Sequence, residues 1–121
     1  MQTPARIPAP IPLADTPTEL RALYARVHWL VIADMDRALA DNEKALAEAT
    51  EDTLSWVLAT IRGCIPLLRQ RREDYLREYT YNMGRTDVLS LETMRRFVER
   101  ARELHGEKPE FSFLFEAEGR A

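Results

Sequence analysis

Residues 53–84 read TLSWVLATIRGCIPLLRQRREDYLREYTYNMG, and this stretch decides the fold. Leu54, Leu58, Ile61, Ile65, Leu68, Tyr75 and Tyr79 recur at helical spacing, so they share one face of a helix. Pro66 lies within that phase. It removes one backbone donor and crowds the carbonyl of Arg62, which predicts a kink without a change of face. Asn82-Met83-Gly84 ends the helix, with Gly84 expected in the left-handed cap position. The first half of the stretch reads as core. The second half gathers Arg69, Arg71, Arg72 and Arg77 among Tyr75, Tyr79 and Tyr81, and reads as surface.

Upstream, Thr16-Pro17-Thr18-Glu19 is a helix start: a capping hydroxyl, a proline at the first helical position and an acid where a capping box needs it. Leu20, Tyr24, Val27, Val31, Met35, Ala38 and Leu46 then form one drifting stripe. Trp29, Ile32 and Ala33 widen it, so residues 27–33 are apolar almost all round and call for cover on more than one side. The helix is expected to run to about Ala49 or to break near Asp41-Asn42. Unbroken, it is roughly 45–50 Å long. Thr50 or Asp52 is the expected cap of the second helix.

Downstream, Ser90 is read as the start of a third helix, with Leu89 and Met94 placed as a hydrophobic staple. Leu91, Met94, Val98, Ala101 and Leu104 form its stripe, and Gly106 closes it. Phe111, Phe113 and Phe115 alternate as in a strand, but no partner strand is evident. Three fates stay open for them: a groove of the bundle, a short helix after Pro109, or addition to another chain. Prolines at 4, 8, 10 and 12 make residues 1–15 an extended arm, which Ile7, Ile11 and Leu13 would pin. The expected fold is therefore all-α: a small antiparallel bundle of three to four helices over residues 16–106, with the arm before it and a Phe-rich tail, 107–121, after it.

The bulk numbers agree. The 121 residues are 45% hydrophobic and 31% charged, a balance typical of a soluble globular domain. A domain of this size buries enough surface to need neither disulfide nor metal staple. Cys64 is alone, which suits a reducing compartment. The N-terminus lacks the apolar core of a secretory signal, and no helix-forming run is apolar enough to span a bilayer. A cytoplasmic location without membrane contact is expected. The net charge of −3 hides an asymmetry. Residues 1–61 hold five basic and nine acidic side chains, residues 62–102 ten and six, and residues 103–121 two and five. A basic centre between acidic ends meets an anionic partner or neutralises its own ends.

No motif names a reaction. There is no pair of Glu-x-x-His segments for a di-iron bundle, no cysteine pair for zinc, no glycine-rich phosphate loop and no Gly-x-Ser-x-Gly elbow. Asp34 and Asp36 fall on different faces, and Cys64 has no histidine near it in sequence. His28, in the apolar centre of the first helix, reads as a structural histidine. No catalytic residue, metal or cofactor is expected. Arg100 and His105, in Arg-Ala-Arg-Glu-Leu-His, have a spacing that resembles the Arg-x4-His element of the HEPN family of helical ribonucleases and toxins. The resemblance covers six residues and implies RNA cleavage by both on an all-helical domain. Ala101 stands where that element usually has a polar residue, and the core stripe needs it.

The first expected function is a non-enzymatic regulator that binds a larger protein or nucleoprotein with an acidic surface, in the manner of a phage- or plasmid-encoded inhibitor. Its contacts would be Arg69, Arg72 and Arg77, with Phe111, Phe113 and Phe115 as a second site. Trp29 and Ile32 would pair two copies into a homodimer. The alternative is a nucleic-acid-binding regulator using the same arginines with stacking tyrosines. A HEPN-like ribonuclease is the third reading.

Overall fold

A computed structural model of the chain describes residues 16–115; the proline arm and residues 116–121 lie outside the described residues. The fold is an all-α helical bundle. It comprises α1 (Pro17–Ala47), α2 (Ser55–Met83), α3 (Val88–His105) and a 3-10 helix (Pro109–Leu114), with no strand among the described residues. Among those residues, no helix is long and apolar enough to cross a membrane.

The ends of the helices show which local signals act. At the start of α1 the Glu19 N–H donates to Thr16 Oγ1 (3.2 Å), as the sequence predicts. The helix passes Asp41-Asn42 unbroken, and its 31 residues span about 46 Å. The cap of α2 differs from expectation. The Thr50 N–H donates to Thr53 Oγ1 and the Thr53 N–H to the Thr50 carbonyl, closing a turn on itself. Leu54 is thus left as N-cap with no side-chain acceptor, in place of Thr50 or Asp52. Helical geometry then continues through Pro66 to Met83. Gly84 closes α2 in right-handed geometry (φ −80°, ψ −1°), so the left-handed cap is not formed. Its N–H reaches the Thr80 carbonyl without it.

Helix α3 begins two residues before Ser90. Asp87 is the cap, accepting from the Ser90 N–H (3.3 Å) and the Ser90 hydroxyl (3.0 Å). Arg85 and these two donors hold the Asp87 carboxyl down at about 2. This start leaves Leu89 exposed, and the staple with Met94 is not made. Leu104, the last residue of the expected stripe, is also exposed.

The chain divides into two compact units. One joins residues 16–27 to residues 85–115, bringing the first turns of α1 together with α3 and the 3-10 helix. Leu20, Tyr24 and Val27 are buried here at heptad-like spacing, as are Met94, Val98 and Ala101. Phe111 and Leu114, three apart and hence on one edge of a 3-10 helix, complete this core with no exposed surface. The ring of Phe97 stands edge-on to Tyr24 at 5.4 Å. A Cβ on Gly106 would lie 2.5 Å from the Arg102 carbonyl oxygen and 2.6 Å from Phe115 Cζ, so only glycine fits there.

The other unit is residues 28–84, a hairpin of the rest of α1 and the whole of α2. His28, Val31, Ile32, Ile65 and Asn82 are buried, whereas Leu58, Ile61, Leu68, Tyr75 and Tyr79 are half-buried and Leu54 is exposed. Two helices cover only one side of each other. A seam between them is therefore shielded but rarely sealed.

Candidate functional site

The hairpin carries most of the residues singled out from the sequence. At one end His28, fully buried, lies between the rings of Tyr75 (5.7 Å) and Tyr79 (5.0 Å). Removal from water disfavours the imidazolium and lowers the His28 pKa from 6.5 to about 4, so the ring is neutral at physiological pH. Trp29 packs edge-on to Tyr79 at 5.3 Å with half of its surface open. Ile32 is buried inside its own chain, so of the expected dimer contacts only Trp29 is presented to solvent.

Two arginines of α2 pair with acids of α1, one of the two uses that the charge asymmetry leaves open. Arg72 donates to Asp36 (2.6 Å) and Arg69 to Glu43 (2.7 Å), both acids of α1. Arg77 pairs with Glu73 at 3.7 Å, as its i,i+4 spacing suggests. The acidic half of α1 thus neutralises the basic half of α2. Between them lies a shallow groove of about 300 Å3 lined by Met35, Arg71, Asp74, Tyr75 and Glu78. It presents both signs of charge together with Met35 and Tyr75. Elsewhere on this half of α2, Arg77 is largely exposed and Tyr81 is 61% exposed.

Of the three fates open to the Phe-rich tail, the structure takes the short helix after Pro109, packed on its own chain. Phe111 is fully buried and stacks on His105 (5.2 Å), so it is a core residue of the first unit. The Arg26 guanidinium covers the Phe113 ring at 3.6 Å, a cation–π contact. Phe115 is half-buried over Gly106. Phe111 is enclosed, whereas Phe113 and Phe115 keep part of their surface open.

Arg100 and His105 both belong to α3 but are separated by five residues, which sets them about 140° apart around the helix. Arg100 pairs with Glu103 (3.2 Å). His105 Nδ1 lies 3.1 Å from Lys108 Nζ. The two are engaged separately. Among the described residues, no group of three His, Cys, Asp or Glu side chains is placed to hold a metal ion.

A further surface feature escaped the sequence reading. On α2, Trp56 is 67% and Leu67 51% exposed, although both lie in what reads as the core half of the helix. Set against family models, curated proteins and solved structures, the chain matches none at a meaningful level.

Proposed function

We propose that this chain is a non-enzymatic interaction protein that binds and modulates a larger protein partner through the C-terminal half of α2. The observation that carries this reading is the surface at residues 71–81. A groove lined by Met35, Arg71, Asp74, Tyr75 and Glu78 shares this stretch of α2 with the exposed side chains of Arg77 and Tyr81. Tyrosine and arginine are residue types in which interface energy concentrates. The mixed charge of Arg71, Asp74, Arg77 and Glu78 suits a polar protein surface better than a run of phosphates. Pairing of Arg69 and Arg72 with α1 acids argues against the nucleic-acid reading in the same way. Action as an inhibitor in a cytoplasmic setting belongs to this proposal.

The test is affinity capture from the native host with the wild-type chain and with an Arg77→Glu, Tyr81→Ala double variant. One defined protein retained by the wild type and lost by the variant is the expected outcome. Retention by both removes this surface. Co-purified nucleic acid that leaves steeply with salt selects the second reading instead. RNA cleavage lost on His105→Ala with the fold intact selects the third.

A further inference from the structure

The N-terminal half of α2 is apolar on two opposite sides. At about 100° per residue, Leu58, Ile61, Ile65 and Leu68 face the α1 seam. Trp56, Ala59, Thr60, Gly63, Pro66, Leu67 and Gln70 lie on the far side, within about 60° of a common direction. That far row holds no charge, every member is exposed, and it runs about 21 Å along the helix.

Gly63, at its centre, packs closely on no other element among the described residues. A Cβ there would meet nothing within 4 Å, in contrast to Gly106. Glycine inside a helix costs roughly 0.5–1 kcal/mol relative to alanine. An outward glycine permits close approach by another backbone.

We infer that this row is a self-association surface on which α2 packs antiparallel against α2 of a second copy, with Gly63 on the two-fold axis. The row is self-complementary about that point. Antiparallel pairing sets Gly63 against Gly63, small Ala59 against large Leu67, Thr60 against Pro66, and Trp56 against Gln70. The hydrogen bonds fit as well. The Gln70 side-chain nitrogen donates to Asp74 Oδ1 (3.0 Å), which leaves its carbonyl oxygen to accept from the indole N–H of the copy's Trp56. The Thr60 hydroxyl already donates to the Trp56 carbonyl (2.8 Å), so the contact buries no unmet donor there.

The area is sufficient for a reversible dimer. Trp56 alone offers roughly 150 Å2. The whole row offers roughly 600 Å2 per copy, so a symmetric pair buries at most about 1,200 Å2, the size of a weak, reversible interface. The row shares no residue with the partner surface proposed above, and its test reads self-association and not partner capture.

Sedimentation or light scattering from micromolar to millimolar concentration tests the idea on the full chain. The wild type is expected to dimerise, and Gly63→Glu to weaken dimerisation at least tenfold while helical circular dichroism is retained. A wild type that stays monomeric throughout overturns the inference, as does a folded Gly63→Glu variant that dimerises as before. Disulfide trapping in a Cys64→Ser background provides a second measurement that does not depend on that variant's folding. Gly63→Cys sits on the axis and should cross-link to itself, whereas Leu67→Cys faces Ala59 and should not. Cross-linking at both positions means a parallel pairing, and at neither means an unused face; each result overturns the inference.

Discussion

His28 makes the stability of this protein depend on pH above the range in which the Asp87 cap is lost. Its pKa is 6.5 when exposed to water and about 4 in the folded chain, because burial penalises the charged ring. Above pH 6.5 both states are neutral and the histidine has no pH-dependent effect. As pH falls below 6.5 the unfolded chain takes up a proton that the folded chain refuses, so stability declines with acidification. The slope approaches about 1.4 kcal/mol per pH unit, and the total loss by pH 4 is about 3 kcal/mol. Below about 4 the folded ring protonates too, and this contribution to the slope ends. Asp87 acts lower, its stabilising cap being lost only as pH falls from 3.8 through about 2. Urea denaturation at pH 7, 5.5 and 4.5 on wild type and His28→Phe isolates the effect, since all other groups cancel in the difference. His28→Phe keeps an aromatic ring beside Tyr75 and Tyr79 but cannot titrate. The variant should lose clearly less stability than the wild type between pH 7 and 4.5. Equal losses in the two proteins would refute the claim that burial of this ring sets the slope.

Other substitutions probe the packing. Phe111→Ala should cost about 3–5 kcal/mol by chemical denaturation, because its ring is wholly enclosed, and the half-buried Leu58→Ala about 1–2 kcal/mol. Gly106→Ala should cost about 1–3 kcal/mol, since the new methyl group meets a backbone carbonyl and the Phe115 ring. Arg69→Glu with Arg72→Glu breaks two exposed cross-helix pairs, each worth about 0.2–1 kcal/mol, so thermal melting should fall by only a few degrees and the difference should shrink in high salt.

Local chemistry was the part of the fold that the sequence made legible. Thr16 caps α1 because the donor it satisfies is three residues away, and the stripe from Leu20 to Val31 is buried as its spacing predicts. Thr50 could be read as a cap only by ignoring its alternative partner, Thr53, which takes its N–H instead. Periodicity also overreached at helix ends, where Leu54, Leu89 and Leu104 keep the phase but have nothing to pack on. The alternating phenylalanines suggested a period of two. The structure uses the period of three that links Phe111 to Leu114. The candidate site was less legible. Arg69 and Arg72 find acids 26 and 36 residues away, partners that no local pattern reveals. The outward row around Gly63 was hidden because apolar residues on both sides of one helix read as a single stripe.

The division of the chain has a consequence for how it is made. The hairpin, residues 28–84, is contiguous and becomes available to fold as soon as α2 leaves the ribosome. The other core is not. Leu20, Tyr24 and Val27 are separated from the Phe111 and Leu114 that seal them by the whole hairpin and α3. During synthesis the first turns of α1 therefore wait with their apolar edge uncovered while those elements are added. Completion of that core demands a long loop closure, the kind of event that slows folding and exposes nascent chains to misassembly. The 3-10 helix is thus the piece that this core must wait for, however early the long helices form.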